Sequence, residues 1–229
     1  MTTLIACSHG TSDLSGQAAI RSVVEDVRTL LPNVRVVASV VDVEQPQIDD
    51  VIAREAPRDD VIVVPLLLSI GYHTAVDISQ AVQAHANVRQ TPPLGTHPLI
   101  ADILIDRIDS VAPGGVSADD LIVLAAAGST NPAARDDVNE VAARLRARIS
   151  APVTVGFASA ASPRIVESVA AARTAGARRV IAARHVLAPG FFAVLVDKAG
   201  ADFVSAPLAP DARIAQVIVE RFHAASGQS

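Results

Sequence analysis

The sequence contains two copies of one pattern, and this repeat limits the possible folds more than any other feature of the chain. Four separated segments of the first half match segments of the second half at offsets between 114 and 119 residues. The matched pairs are 4–13 with 122–131, 41–48 with 157–165, 65–75 with 184–194 and 91–95 with 205–209. A nearly constant offset at four places indicates two related units of the common domain size.

Each copy alternates short β-branched runs with longer amphipathic stretches. In the first copy, a strand predicted at Leu4–Cys7 precedes a helix predicted at Gly16–Leu31, whose apolar residues fall on one stripe. Strands that alternate with helices favour a parallel sheet. We therefore predict an α/β fold of two tandem domains, residues 1–115 and 119–229, each a small parallel β-sheet flanked by helices. The Pro- and Gly-rich segment 112–118 is the predicted linker.

The composition excludes several classes of protein. Half of the 229 residues are hydrophobic, which is enough for a sizeable core. Aromatic residues make up only 3% and the formal net charge is −5, so nucleic-acid binding is not expected. The single cysteine, Cys7, rules out an intrachain disulfide, and we expect it to be a small buried residue. The longest apolar run is too short for a membrane span, and without a signal-peptide pattern we expect a cytoplasmic protein.

Three polar residues of the first copy, His9, Asp42 and His73, each follow a predicted strand. The carboxyl ends of parallel strands meet at one edge of a sheet, where open α/β proteins bind their ligands. The counterparts in the second copy are Ala127, Ser159 and Phe192. A purely structural role would favour similar residues in both copies. The difference favours chemistry that is confined to the first copy.

Two imidazoles and a carboxylate form a common ligand set for divalent metal ions. This set suits Fe, Co, Ni or Zn better than Mg or Ca, and a neutral imidazole can also accept a proton. The alternative is a structural role, since a histidine at a strand end is often a loop or capping residue. For the other histidines we favour structural positions: a helix start for His97, a hydrogen-bonded core position for His185, a helix face for His85 and solvent for His223.

Small residues follow the first strand of each copy, in the turns Gly10-Thr11-Ser12 and 128–131. Their hydroxyl groups can cap the helix that follows. Their backbone N–H groups can instead bind an anion at the positive end of that helix. Both interpretations stay open, with capping favoured. Neither turn matches a Walker loop or a GxGxxG motif.

The segments ACSHGT (6–11), VDVEQP (41–46), PLLLSIGYHTAVDI (65–78) and PPLGTHP (92–98) are similar to those of a known family. They resemble the sirohydrochlorin chelatases, the CbiX/SirB group of class II chelatases, in the long form with two domains. The resemblance covers almost the whole chain, and LAPGFFA (187–193) resembles the degenerate second copy of such proteins. It implies a lyase-type enzyme that inserts Fe²⁺ or Co²⁺ into sirohydrochlorin, a step of sirohaem or cobalamin biosynthesis.

The resemblance also implies roles for individual residues. His9 and His73 match the family histidines that bind the metal and accept pyrrole protons. The family carboxylate lies four residues before a proline, and this place is held by Asp42 ahead of Pro46. Glu44, two residues further on, is the alternative carboxylate.

The tetrapyrrole is expected in an active cleft between the two domains. The residues expected to bind it are Gly10, Thr11, Ser12, Gly71 and Tyr72 of the first copy and Leu187, Phe191 and Phe192 of the second. The metal ion is a substrate of this reaction, and no tightly bound cofactor is expected. Two fused copies make a second chain unnecessary, so we expect a monomer whose partners are sirohydrochlorin and the metal ion, with no nucleic acid or membrane.

Two other functions would use the same residues. A carrier of metal or tetrapyrrole needs the same ligands without turnover, and the sequence does not distinguish it from a chelatase. A phosphoryl-transfer enzyme with His9 as nucleophile is suggested by the His-Gly pair after a strand. Histidine phosphatases carry an arginine directly before that histidine, whereas this chain has Ser8, so this function is less favoured.

Overall fold

Strands and helices alternate along the chain in a computed structural model, which describes residues 2–69 and 71–227, without the side chains of 72–75. The elements of the first half are β1 (Thr2–Ser8), α1 (Leu14–Leu30), β2 (Arg35–Val40), α2 (Ile48–Glu55), β3 (Asp60–Pro65), α3 (Tyr72–Gln83), β4 (Val88–Gln90) and α4 (Pro98–Val111). Those of the second half are β5 (Leu121–Ala126), α5 (Pro132–Arg146), β6 (Val153–Phe157), α6 (Ile165–Thr174), β7 (Val180–His185), α7 (Phe191–Asp197), β8 (Phe203–Val204) and α8 (Ala212–Ser226). The predicted α/β alternation is confirmed in both halves.

The strands form two four-stranded sheets, and all neighbouring strands are parallel. The strand order is β2-β1-β3-β4 in the first sheet and β6-β5-β7-β8 in the second. In the first sheet the register places Cys7 of β1 beside Ser39 of β2 and Pro65 of β3. The loops that follow β1, β2 and β3 therefore share one edge, which we call the carboxyl edge of the first sheet.

The central strands are buried because helices pack against them, which explains their continuous apolar sequence. In the first sheet, Ile5 and Val63 pack in one cluster with Ile52 of α2. In the second sheet, Val123 packs in an equivalent cluster with Val169 of α6. Fully burying a side chain of this size contributes about 1.5–3 kcal/mol. Among the residues that the structure describes, no helix is both long and apolar enough to cross a membrane.

The compact units of the structure are not the same stretches of chain as the sequence copies. One unit comprises Met1–Gly95 with Ala209–Ser229, and the other comprises Thr96–Leu208. Helix α8 packs against α1 and β3 in the first unit, and α4 packs against α5 and β7 in the second. Compared with the copies predicted at 1–115 and 119–229, each unit thus contains the last helix of the other copy.

The segment 112–118, predicted as a linker, lies within the second unit. Arg179 donates hydrogen bonds to the carbonyl oxygens of Pro113 (2.8 Å) and Gly115 (2.7 Å). Its guanidinium group also forms two hydrogen bonds to the buried carboxylate of Asp120. Side-chain contacts therefore hold this segment as part of a folded unit.

Candidate functional site

The loops after β1 and β2 are joined by backbone hydrogen bonds at the carboxyl edge of the first sheet. The N–H of Val41 donates to the carbonyl oxygen of Ser8 (2.9 Å), and the N–H of Asp42 donates to that of His9 (3.0 Å). The side chains of His9 and Asp42 are both exposed. Two of the three candidate ligands therefore lie side by side on neighbouring strand ends, open to solvent.

Gly10 allows the close approach of these two loops. Its φ is +95°, which residues with a side chain rarely adopt, and a Cβ here would overlap the carbonyl oxygen of Asp42. In the second copy, Gly128 has a φ of +91° and the same relation to the carbonyl oxygen of Ser159. The backbone therefore requires glycine at this position in both copies.

We expect Gly10→Ala and Gly128→Ala to destabilise the protein by similar amounts, roughly 3 kcal/mol each, because both combine an unfavourable φ with a backbone collision. Urea unfolding, monitored by circular dichroism, measures the decrease in the free energy of unfolding. Gly114→Ala is the control, since its φ is also positive (+76°) but its Cβ would meet no atom, and it should cost only about 1 kcal/mol. Equal losses at Gly10 and Gly114 would contradict the close packing of the two loops.

The two carboxylates of the loop after β2 have different partners. Asp42 accepts a hydrogen bond at Oδ1 from the N–H of Val43 (2.7 Å), and it is exposed. Glu44 accepts one at Oε1 from the N–H of Thr11 (2.7 Å), and it is half-buried. Asp42 therefore presents its carboxylate to solvent beside His9, whereas the carboxylate of Glu44 binds the loop after β1. Sequence reasoning missed this bond, because side-chain direction in a loop is not visible from spacing.

Helix α1 is capped by Asp13 and not by the hydroxyl residues before it. The Asp13 carboxylate accepts hydrogen bonds from two N–H groups of the first turn, at 2.8 and 3.0 Å. Thr11 Oγ1 accepts a hydrogen bond from the N–H of Asp13 (3.1 Å). Asn131 caps α5 in the second copy. The prediction that a hydroxyl group caps this helix is therefore wrong: Asp13 forms the cap, and Thr11 supports it.

The third candidate ligand, His73, belongs to the first turn of α3. This helix begins at Tyr72, directly after Gly71, in the segment that follows β3. The side chains of Tyr72 and His73 lie outside the described residues, and the position of the His73 imidazole relative to His9 stays a prediction. Among the side chains that are described, no group of three or more His, Cys, Asp or Glu residues is placed to hold a metal ion.

The second copy keeps the backbone of this edge without its polar side chains. The two hydrogen bonds between the loops recur at 2.8 and 2.9 Å, where they join Ala158 with Ala126 and Ser159 with Ala127. The backbone arrangement therefore does not depend on an imidazole or a carboxylate. What distinguishes the first copy is the chemistry of its side chains.

The predicted lining residues of the second copy differ in exposure. Phe191, the first residue of α7, is 71% exposed. Phe192, the counterpart of His73, is partly buried and packs against the core cluster of the second sheet. The rings of Phe191 and Phe192 meet edge to face with their centroids 5.4 Å apart, and Leu187 is half-buried. Phe191 therefore offers the larger free surface to a ligand, and Phe192 fills core space.

The residues expected to be structural are placed as follows. His97 caps α4, because its Nδ1 accepts a hydrogen bond from the N–H of Leu99 (3.3 Å), which confirms the predicted helix start. His185 ends β7 and is buried, and burial lowers its pKa to about 4. The expected hydrogen bond is not seen at its Nε2 within the described part of the chain. Cys7 is buried as predicted, and burial raises the pKa of its thiol to about 11, so it is unreactive at neutral pH.

One cleft of the first unit, between α2 and α3, did not follow from the sequence analysis. It has a volume of about 470 Å³, and its lining includes Asp49, Asp77 and His85. The small side chains of Ala53 and Ala81 also line it and leave space between the two helices.

Two parallel four-stranded sheets with flanking helices define the class of the protein, the two-domain chelatase fold. SirB from Bacillus subtilis, solved with Fe³⁺, has this fold with a TM-score of 0.78 and 17% identity, over 99% of this chain and 98% of that chain. CbiX, described as the terminal enzyme for biosynthesis of sirohaem in denitrifying bacteria, has a TM-score of 0.70 and 20% identity, over 97% of this chain and 99% of that chain.

The family follows from the sequence itself. A family model described as CbiX matches residues 3–111 and, a second time, residues 121–225. The chain belongs to the CbiX family. A sirohydrochlorin ferrochelatase of Priestia megaterium is 28% identical over 137 residues, 57% of this chain and 51% of that protein. A probable sirohydrochlorin cobaltochelatase of Halobacterium salinarum is 34% identical over 93 residues, 33% of this chain and 31% of that protein, so the chain spans about half the length of these relatives or less.

Proposed function

We propose that the protein is a sirohydrochlorin chelatase, which inserts Fe²⁺ or Co²⁺ into sirohydrochlorin. The observation that carries the proposal is the difference between the two copies. The first copy exposes His9 and Asp42 side by side, whereas the same backbone in the second copy carries Ala127 and Ser159. In a member of the CbiX family, this difference favours metal chemistry at the carboxyl edge of the first sheet.

Metal insertion makes two demands on a protein. The cation has to be held while it loses part of its water shell, and two pyrrole N–H groups have to lose their protons. A neutral imidazole can meet either demand, because its unprotonated ring nitrogen carries a lone pair. A carboxylate beside it offsets the charge of the cation. We therefore assign metal binding to His9, His73 and Asp42, and acceptance of the pyrrole protons to the two histidines.

Exposed apolar side chains near these ligands suit the tetrapyrrole. Leu14 begins α1, after the loop that carries His9, and Val43 directly follows Asp42; they are 76% and 56% exposed, although both are large and apolar. Apolar surface next to a few polar groups is typical of ligand-binding sites. We propose that both residues contact the macrocycle, together with the sequence-predicted residues of the first copy: Gly10, Thr11, Ser12, Gly71 and Tyr72. For the second copy, Leu187, Phe191 and Phe192 stay predictions.

The alternative functions are affected differently by these findings. The phosphoryl-transfer hypothesis loses support, because the chain belongs to the CbiX family and carries Ser8 where that hypothesis needs an arginine. The carrier hypothesis uses the proposed ligands and is separated from an enzyme only by turnover. We further propose a monomer that works without a tightly bound cofactor, since the metal ion is a substrate.

We expect the purified protein to metallate many equivalents of sirohydrochlorin when Fe²⁺ or Co²⁺ is supplied without oxygen. The absorbance of the tetrapyrrole follows the reaction, and initial rates with each ion compare iron with cobalt directly. Product limited to one equivalent per protein would contradict an enzyme and favour the carrier. A rate no higher than that of the mixture without protein would exclude an enzyme, and a protein that also binds neither the metal ion nor the tetrapyrrole would exclude both functions.

A further inference from the structure

We propose that Glu44 is a positioning residue that holds the loop carrying His9, and that it does not bind the metal ion itself. The inference rests on the proposed function, because it divides the work of that site between two carboxylates. The sequence leaves Asp42 and Glu44 as alternative ligands. In the structure, Asp42 accepts a hydrogen bond from Val43 of its own loop, whereas Glu44 accepts one from Thr11 of the loop after β1.

The carboxylate of Glu44 is engaged by the backbone of the neighbouring loop. Its Oε1 lies 2.7 Å from the N–H of Thr11, which is two residues after His9. Hydrogen bonds from a backbone N–H to a carboxylate are charge-assisted and stronger than neutral ones. Glu44 is also half-buried, which reduces competition from water. To bind a cation through Oε1, Glu44 would have to share or release this bond.

Thr11 connects Glu44 to the rest of the loop. Its carbonyl oxygen accepts a hydrogen bond from Gln17 Nε2 (2.9 Å), and its Oγ1 accepts one from the N–H of Asp13 (3.1 Å). The bond from its N–H to Glu44 ties the start of α1 to the loop after β2. The backbone at His9 is thereby fixed on both sides of Gly10, by its own carbonyl bond to Asp42 and by the bond at Thr11.

The second copy shows that the fold does not need this bond. The N–H of Glu44 donates to the carbonyl of Asp42 (2.8 Å), and the N–H of Ala161 donates to that of Ser159 (2.6 Å), so residues 44 and 161 are equivalent. Alanine at 161 has no carboxylate to bind the opposite loop. The bond is thus present in the copy that carries His9 and absent from the copy that carries Ala127, which favours a role in the site over a role in folding.

The variants Glu44→Ala and Glu44→Gln distinguish positioning from metal binding. Alanine removes the acceptor, and we expect kcat for metallation to fall on the order of 10- to 100-fold with little change in the KM for the metal ion. Glutamine keeps an amide oxygen that can accept from Thr11, and we expect it to retain at least about a third of the wild-type kcat. A glutamine variant as impaired as the alanine variant, with a raised KM for the metal, would overturn the proposal in favour of a ligand role.

Glu167→Ala is the matched control. Glu167 accepts a hydrogen bond from the N–H of Arg164 (2.8 Å) at the start of α6, in the second unit. The same type of bond is therefore lost, and we expect some loss of stability with kcat unchanged. If kcat falls equally in Glu167→Ala and Glu44→Ala, the fall is caused by general destabilisation of the protein, and the proposal is overturned.

A second measurement keeps the test independent of the proposed function. In ¹⁵N-labelled protein, we expect Glu44→Ala to speed hydrogen exchange at the Thr11 amide by about 10-fold or more, and Glu44→Gln to leave it protected. If wild-type protein does not metallate sirohydrochlorin while Thr11 behaves in this way, the proposed function fails and the positioning contact stands. Unchanged exchange at Thr11 in Glu44→Ala would overturn the positioning contact.

Discussion

Replacing His9 by alanine is expected to lower the rate of sirohydrochlorin metallation about 100-fold or more, because the cation loses a ligand and a pyrrole proton loses its acceptor. The free energy of unfolding should stay within about 0.5 kcal/mol of wild type. The imidazole is exposed, and the variant keeps the carbonyl oxygen that bonds to Asp42. Alanine at position 127 of the second copy already makes the equivalent bond. Absorbance of the tetrapyrrole gives the rate, and urea unfolding gives the stability.

Two further variants control this result. His223→Ala removes an imidazole from α8 of the same unit and should leave the rate unchanged. Asp42→Ser introduces the residue that the second copy carries at 159, and it should lower the rate while preserving the fold. A rate near that of wild type in His9→Ala would remove His9 from the site and the proposed chemistry with it. A comparable loss in His223→Ala would mean that the effect of His9→Ala is not specific to the proposed site.

The parallel arrangement of the strands was predictable from the sequence, whereas the division of the chain into its two compact units was not. Repetition and the alternation of apolar runs were enough to predict parallel sheets, and β1 (Thr2–Ser8) contains the strand predicted at Leu4–Cys7. The placement of α4 and α8 was not predictable in this way. Both helices bury an apolar stripe, with Ile103 and Ile218 among the buried residues. Since the two sheets are related, the stripe alone does not say which sheet a helix covers.

The candidate site was predictable where backbone rules apply. His9 and Asp42 follow adjacent parallel strands, so their proximity follows from topology. The partners of individual carboxylates depend on loop conformation, such as the φ of +69° at Val43, which a sequence of ordinary residues does not reveal. The bond between Glu44 and Thr11 is therefore visible only in the structure.

Burial of charged residues was the least predictable feature, and Asp120 is the clearest case. Asp119 and Asp120 are adjacent in a polar stretch, yet Asp119 is exposed and Asp120 is only 2% exposed. The Asp120 carboxylate accepts hydrogen bonds from Arg179 at 2.9 and 2.6 Å and from the N–H of Ser117 at 2.9 Å. Nη2 of Arg178 lies 3.3 Å from Oδ1 of the same carboxylate. This network holds the segment before β5 against the start of β7.

We expect Asp120→Asn to lower the free energy of unfolding by about 3–5 kcal/mol, because it leaves the largely buried guanidinium of Arg179 without a counter-charge. Asparagine has nearly the shape of aspartate, so the loss reports charge and not packing. Urea unfolding gives the overall effect. Hydrogen exchange in β5 and β7 should quicken most, since Asp120 and Arg179 directly precede these strands.

The pH dependence of the same pair gives an independent check. Hydrogen bonds from Arg179, followed by the N–H of Ser117 and the nearby positive charges, hold the pKa of Asp120 below its ordinary value of 3.8, although burial acts in the opposite direction. A carboxylate with a lowered pKa stabilises the folded state above its unfolded pKa and loses that contribution as the pH falls below it. The stability difference between wild type and Asp120→Asn should therefore be constant from about pH 7 to 5 and shrink below about pH 4.

Glu140→Gln is the control for the size of the loss. It breaks the exposed pair with Arg144 (2.7 Å) and should lower the free energy of unfolding by less than about 1 kcal/mol. A similarly small loss at Asp120 would contradict the buried pair.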